Sequence, residues 1–361
     1  MKYIDEYRDK DLVNKLVDQI KRISTKEVAL MEVCGGHTMS IQKFGIPSLL
    51  PSTIKLLSGP GCPVCVTERK YIDQAIAYSR LSNVIITTYG DLIRVPGSTS
   101  TLDKEKAGGA DVRIVYSSLE AIKTAEQNPD KKIIFLGIGF ETTTPGTAAA
   151  IIEAKGKKIN NFFVYSAHKV MPPAMSALID EGVKINGYIS PGHVSTITGS
   201  GIYKDIADKY GLAVVISGFE PVDLLQSIYM LVKQIEEDKP KVEIQYRRAV
   251  RKEGNLKALN MINDVFKARD DWWRGLGVLK NSGLGIREKY EKYDAEKMIQ
   301  VEFEPTREDK ACICGSILKG LNNPKDCKLF GKACTPINPI GACMVSNEGA
   351  CAAYYRYNKD E

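Results

Sequence analysis

The sequence contains no run of about 18 apolar residues, so no segment reads as a membrane-spanning helix. Its first residues, MKYIDEYRDKDLVNK, alternate charges without an apolar stretch and do not read as a secretory leader. A cytoplasmic protein is expected. Neither sign of charge is in large excess: 50 Lys and Arg stand against 44 Asp and Glu, a net charge of +6. The densest basic group is Arg247, Arg248, Arg251 and Lys252, shorter than the patch or stripe that nucleic acid requires. Neither nucleic acid nor a membrane is an expected partner. The phosphate-binding pattern GxxxxGK[ST] is missing, and IGFETTTPG lacks the three-glycine spacing of a dinucleotide fingerprint. Histidine occurs only three times, and cysteine is absent between residues 66 and 311.

Outside that gap cysteine is plentiful. Three of the nine lie early, Cys34, Cys62 and Cys65, and six fall in the last fifty residues. Structural disulfides are disfavoured in the cytoplasm, so nine cysteines in such a chain point to metal binding or redox chemistry. Hydrophobic residues make up 43% of the chain, enough to expect a packed core.

Leu12, Val13, Leu16, Val17, Ile20 and Ile23 recur at helical spacing and predict an amphipathic lead-in helix within residues 1–27. Short apolar runs then alternate with segments able to form helices. The runs lie at 28–33, 54–57, 84–88, 112–115, 133–138, 162–166, 187–190 and 212–217. Buried strands alternating with helices are the mark of βαβ units, so the fold class is α/β with parallel sheets. Two domains of similar size are expected, 28–128 and 129–225, with the break at the turn cluster Asn128-Pro129-Asp130. Residues 226–304 read as a mainly helical connection, and 305–361 as a small cysteine-rich domain that needs a metal to hold its shape.

Functional side chains gather just past the strands. His37, His168 and His193 all lie there, as do Cys34, Cys62 and Cys65. In open parallel sheets the ligand crevice lies outside the carboxyl ends of the strands, so these loops are candidates to converge on a cleft. CGGH sets Cys34 and His37 three residues apart. Such a pair can serve as nucleophile and base, as two metal ligands, or as a buried thiol beside a structural imidazole. Cys62 and Cys65 form a Cys-x-x-Cys motif after a strand, suited to a reversible disulfide or to soft-metal ligation. Glu141, Thr142 and Thr143, with Asp91, Arg94, His168 and Lys169, add acid, base and anion-binding groups. In the tail, Cys312, Cys314, Cys327, Cys334, Cys343 and Cys351 include no Cys-x2-Cys knuckle of the zinc kind. Wide spacing across Gly- and Pro-rich loops favours a cubane iron–sulfur cluster, with zinc as the alternative.

These motifs together resemble one family. CGGHT (34–38), GPGCPVCVT (59–67), GFETTTPGTA (139–148), MPPAM (171–175), SPGHVSTI (190–197) and GACMVSNEGACAAYYRY (341–357) are similar to the signatures of the HypD hydrogenase-maturation proteins. The resemblance implies two α/β domains and a C-terminal domain holding a four-iron four-sulfur cluster. It implies a scaffold that holds iron while cyanide and carbon monoxide are attached to make the iron centre of nickel–iron hydrogenases. A HypC-type chaperone and a HypE-type cyanide donor are the implied partners. Carried over residue by residue, the essential cysteine and histidine fall on Cys34 and His37, and the redox pair on Cys62 and Cys65. The cluster ligands fall on Cys312, Cys327, Cys334 and Cys351, with Cys343 spare. An iron–sulfur-linked thiol–disulfide reductase is the rival reading.

Overall fold

A computed structural model describes residues 4–358. The lead-in helix runs Lys10–Ile23, started by the Asp9 carboxylate accepting from the Leu12 N–H at 2.9 Å. Its apolar face packs on the helix Pro221–Glu236. The eight apolar runs all form strands: β1 (Val28–Glu32), β2 (Ile54–Ser58), β3 (Val84–Thr88), β4 (Val112–Ile114), β5 (Lys132–Gly139), β6 (Phe162–His168), β7 (Gly187–Pro191) and β8 (Ala213–Ser217). Most are buried along their length, as continuous β-branched runs covered on both faces must be. A ninth, β9 (Val242–Ile244), is too short and too polar to read from its pattern.

Both sheets are parallel, with orders β2-β1-β7-β8-β9 and β4-β3-β5-β6. The expected division at residue 128 is corrected by this pairing. β1 and β2 belong with β7, β8 and β9, while the second sheet is the contiguous segment β3 to β6. The chain leaves the first sheet after β2 and returns beside β1. The return is fixed by Asn186, whose N–H donates to the Ala29 carbonyl while its side chain accepts from the Ala29 N–H, both at 2.8 Å.

The mainly helical connection expected over 226–304 is also corrected. After the helix Leu256–Val265 the chain forms an antiparallel hairpin, β10 (Phe266–Trp273) and β11 (Gly277–Ile286). Its turn uses Gly275 and Gly277 at φ +87° and +73°, a conformation that glycine adopts without steric cost. The hairpin lies along β6, where Val170 N–H donates to Ser282 at 3.0 Å and Ser166 Oγ donates to Leu284 at 2.9 Å. The tail has short helices at Cys314–Leu318 and Ala350–Tyr357; the latter packs on the helix Gly35–Lys43.

The loop after β8 is braced by a buried ion pair. Asp223 is fully buried, and accepts from Arg248 Nη1 at 2.7 Å and from Gln245 Nε2 at 2.9 Å. It also receives the Glu220 N–H at 3.2 Å. Removing one partner of such a pair strands the other in a poor solvent. Asp223→Ala is expected to lower stability by about 3 kcal/mol, read as a lowered urea midpoint; an unchanged midpoint would show that the pair contributes nothing.

Candidate functional site

The carboxyl ends of both sheets open into one cavity of about 600 Å³. Cys34, Gly61, Pro191 and His193 come from the first sheet, and Tyr89 to Leu92 and Ile138 to Thr143, without Glu141, from the second. Ser346, Asn347 and Glu348 of the tail close the remaining side. A second cavity, about 740 Å³, lies beyond Met39 and His193 and is lined by Phe219, Tyr246 and Arg248.

Cys34 is the residue before the helix Gly35–Lys43, and its carbonyl accepts from the His37 N–H at 2.9 Å. Burial pushes its thiol up to about 12, and the nearby Glu348 carboxylate acts in the same direction; the N–H groups of Gly36 and His37 oppose both. One turn on, His37 is fully buried, and burial pushes it down to about 4. Its Nε2 lies 3.2 Å from the Ser217 carbonyl, which can only accept, so Nε2 carries the proton. Nδ1 then offers a lone pair, and no protein group meets it. An unpartnered buried nitrogen beside a cysteine suits a metal ligand or a hydrogen-bond acceptor. The ring stacks on Phe219 at 4.6 Å, which in turn stacks on His193 at 3.9 Å. The sequence reading noted His193 past a strand end but left it out of the site; it lines the cleft with Cys34.

Cys62 and Cys65 form a disulfide, with Cα atoms 5.2 Å apart, at the start of the short helix Pro63–Val66. Both are buried. Their loop lies directly against Cys34: Gly35 N–H donates to the Gly61 carbonyl at 3.0 Å, and a Cβ on Gly61 would come within 2.1 Å of the Cys34 nitrogen. Arg274, at the hairpin tip, donates to the Cys65 carbonyl at 2.9 Å and to that of Thr67 at 2.8 Å. The Pro63–Val66 helix also packs on the 3-10 turn Ala342–Met344, which carries Cys343. The disulfide thus sits between Cys34 and the tail.

In the tail, Cys312, Cys314, Cys327, Cys334 and Cys351 line one tight cavity, closed by Ile317, Leu329, Phe330 and Met344. All four cysteines that the resemblance named are among them. Cys314 joins them, and its side chain hydrogen-bonds Cys312, Cys343 and Cys351. The bond from Cys314 pulls the Cys312 thiol down to about 6, while Cys314, Cys343 and Cys351 are all pushed up. Among the described residues no three His, Cys, Asp or Glu side chains are spaced around a single metal ion; the thiols bond one another instead. A donor set of sulfur alone, in an apolar shell, has the chemistry that an iron–sulfur cluster takes. Gly341 keeps that space open, since a Cβ there would lie 2.7 Å from the Cys312 sulfur.

The remaining candidates divide. Thr142, Thr143 and Asp91 line the central cleft. Glu141 turns inward to accept from the Met171 N–H at 3.1 Å, and burial raises it to about 7. His168 is buried against Thr147 at 2.9 Å, away from the cleft lining. Lys169 pairs with Asp271 at 2.9 Å beneath the hairpin. Arg94 donates to the Val345 carbonyl at 3.2 Å and so ties the loop after β3 to the tail.

The family model described as "Hydrogenase formation hypA family" (HypD) matches residues 11–358. The hydrogenase maturation factor HypD of Azotobacter vinelandii is 47% identical over 369 residues, covering 99% of this chain and 97% of the relative. Those of Cupriavidus necator and Rhodobacter capsulatus are 43% and 44% identical over 370 residues, each covering 99% of this chain and 98% of the relative. With likeness running the length of the chain and through every loop of the cleft, the protein belongs to the HypD family of hydrogenase maturation factors.

Proposed function

We propose that the protein is a scaffold on which iron, its cargo, acquires cyanide and carbon monoxide on the way to the iron centre of a nickel–iron hydrogenase. The observation that carries this reading is the convergence on one cleft of Cys34, the Cys62–Cys65 loop and the tail. Cys34 takes the iron as thiolate, and His37, three residues on and buried behind the cleft lining, carries an Nδ1 with no hydrogen-bond partner. Both are soft or borderline donors of the kind that suit low-spin iron with strong-field ligands. A HypC-type chaperone would complete the iron's coordination from the open side of the cleft, and a HypE-type partner would bring cyanide.

Cys312, Cys327, Cys334 and Cys351 would hold a four-iron four-sulfur cluster, with Cys314 next to them. Such a cluster supplies electrons one at a time. Two electrons and two protons open the Cys62–Cys65 disulfide to two thiols; reclosure returns both to the cleft. Arg274 holds the Cys65 and Thr67 carbonyls beside this pair. The rival reading, a reductase for external disulfides, is disfavoured by access. Cys62 is 3% exposed and Cys65 fully buried, so a protein disulfide cannot reach either sulfur in line.

Anaerobic reconstitution is expected to give a brown protein with about four irons and four sulfides per chain. Cys334→Ala is expected to lose that content; stoichiometric zinc in a colourless protein would overturn the cluster.

Cys34→Ala tests the iron site. The variant is expected to fold and to keep its tail cluster, because Cys34 lies past the end of β1 and outside the core clusters. Purified with its chaperone, it is expected to lack the cyanide and carbonyl infrared bands of the unaltered protein. Bands that persist would move the iron to other ligands.

A further inference from the structure

The tail segment that carries Cys327 and Cys334 is markedly basic. Residues 319–338 carry four lysines against a single carboxylate, Asp326. Lys319 is engaged with Glu181 at 2.6 Å, and Asp326 accepts from the Asn323 N–H at 2.8 Å. Lys325, Lys328 and Lys332 are exposed. They flank the cavity thiols along the chain: Lys325 and Lys328 stand either side of Cys327, and Lys332 lies two residues before Cys334. Cys327 is itself only half-buried. Two large apolar side chains stand out on the same segment, Ile337 at 97% exposure and Leu321 at 59%.

We propose that this face docks a small, acidic, one-electron carrier protein; the proposal rests on the reading of the cavity as an iron–sulfur site. Encounters between redox proteins bury little area and are short-lived. They depend on opposite charge to bring the partners together and on a small apolar contact to orient them. The exposed lysines, with exposed Ile337 and Leu321 on the same segment, provide both within a few residues of cavity cysteines Cys327 and Cys334 along the chain. In the chain's other basic group, Arg248 is held on buried Asp223 and borders the second cavity rather than the thiol cavity. Each reduced carrier leaves oxidised by one electron. Two deliveries, with two protons from water, account for one opening of the Cys62–Cys65 disulfide.

The test uses the full chain with an acidic two-iron two-sulfur ferredoxin as probe. Lys325→Glu, Lys328→Glu and Lys332→Glu are combined, and a control reverses Lys10, Lys15 and Lys204, exposed lysines elsewhere on the protein. Calorimetric binding to the metal-free chain is expected to weaken about tenfold or more in the first variant, and to lose its salt dependence. The control is expected to bind as the unaltered protein does. After reconstitution, stopped-flow reduction by the ferredoxin is expected to slow by a similar factor, while reduction by dithionite keeps its rate. Unchanged ferredoxin binding, or equal loss in the control, overturns the docking face and leaves the cluster standing. A reconstituted protein that takes no electrons from dithionite overturns the cluster reading, and this proposal with it.

Discussion

The arrangement of the cleft depends on how closely the loops after β1 and β2 run together. The two strands pair in register from Val28 with Ile54 to Glu32 with Ser58, so both end at the same level. The pairing continues past them as Gly59 N–H donates to the Glu32 carbonyl at 2.9 Å and Gly35 N–H to that of Gly61 at 3.0 Å. No side chain fits at position 61, where a Cβ would meet the Cys34 backbone. Glycine is therefore required for the Cys34 loop and the disulfide loop to lie side by side. What brings Cys34 and the Cys62–Cys65 pair together is main-chain geometry, which side-chain changes elsewhere leave intact.

Attaching the tail poses a different problem, because a segment this small has little core of its own. Arginines from the rest of the chain supply the attachment. Arg69 donates to the Arg307 carbonyl at 2.7 Å, Arg94 to that of Val345, and Arg274 pairs with Glu308 at 3.1 Å while gripping the disulfide loop. A guanidinium reaches several acceptors at once in a fixed plane, which an ammonium cannot do. Asp73 adds a hub: Ser98 and Thr306 both donate to its carboxylate, at 2.7 and 2.9 Å. The disulfide and the thiol cavity are thus fixed relative to each other by hydrogen bonds to backbone.

The strands were legible because apolar, β-branched runs such as VIITT and IIFLGI have few other uses in a chain of this composition. Positions past strand ends include Cys34 and His193, which line the cleft, whereas His168 closes β6 and turns to Thr147. Sheet membership was not legible. Nothing local in β7 distinguishes β1 from β6 as its neighbour; the choice is made by Asn186 bonding Ala29, two segments far apart in sequence. The hairpin was missed because its glycines and tryptophans read as a connection, and the turn depends on φ values visible only in three dimensions. Glu141 illustrates a finer limit. It lies next to Thr142, yet one residue's difference in direction turns it away from the cleft and onto the Met171 N–H.

Burial gives the cleft floor an unusual charge state. At neutral pH the Cys34 thiol is protonated, with its pKa near 12, and His37, near 4, is neutral. Glu32 is also buried, and its burial pushes the carboxyl up to about 8. With Cys34 and His37 uncharged, the acidic side chains on the cleft lining are Asp91 and Glu348. A cation that does enter reverses the balance, because a thiolate bound to metal is stable where a free one is not. Iron binding in the proposed role therefore expels the Cys34 proton, and the affinity rises with pH. The same desolvation that makes the empty thiol inert makes its bond to a soft cation hard to give up.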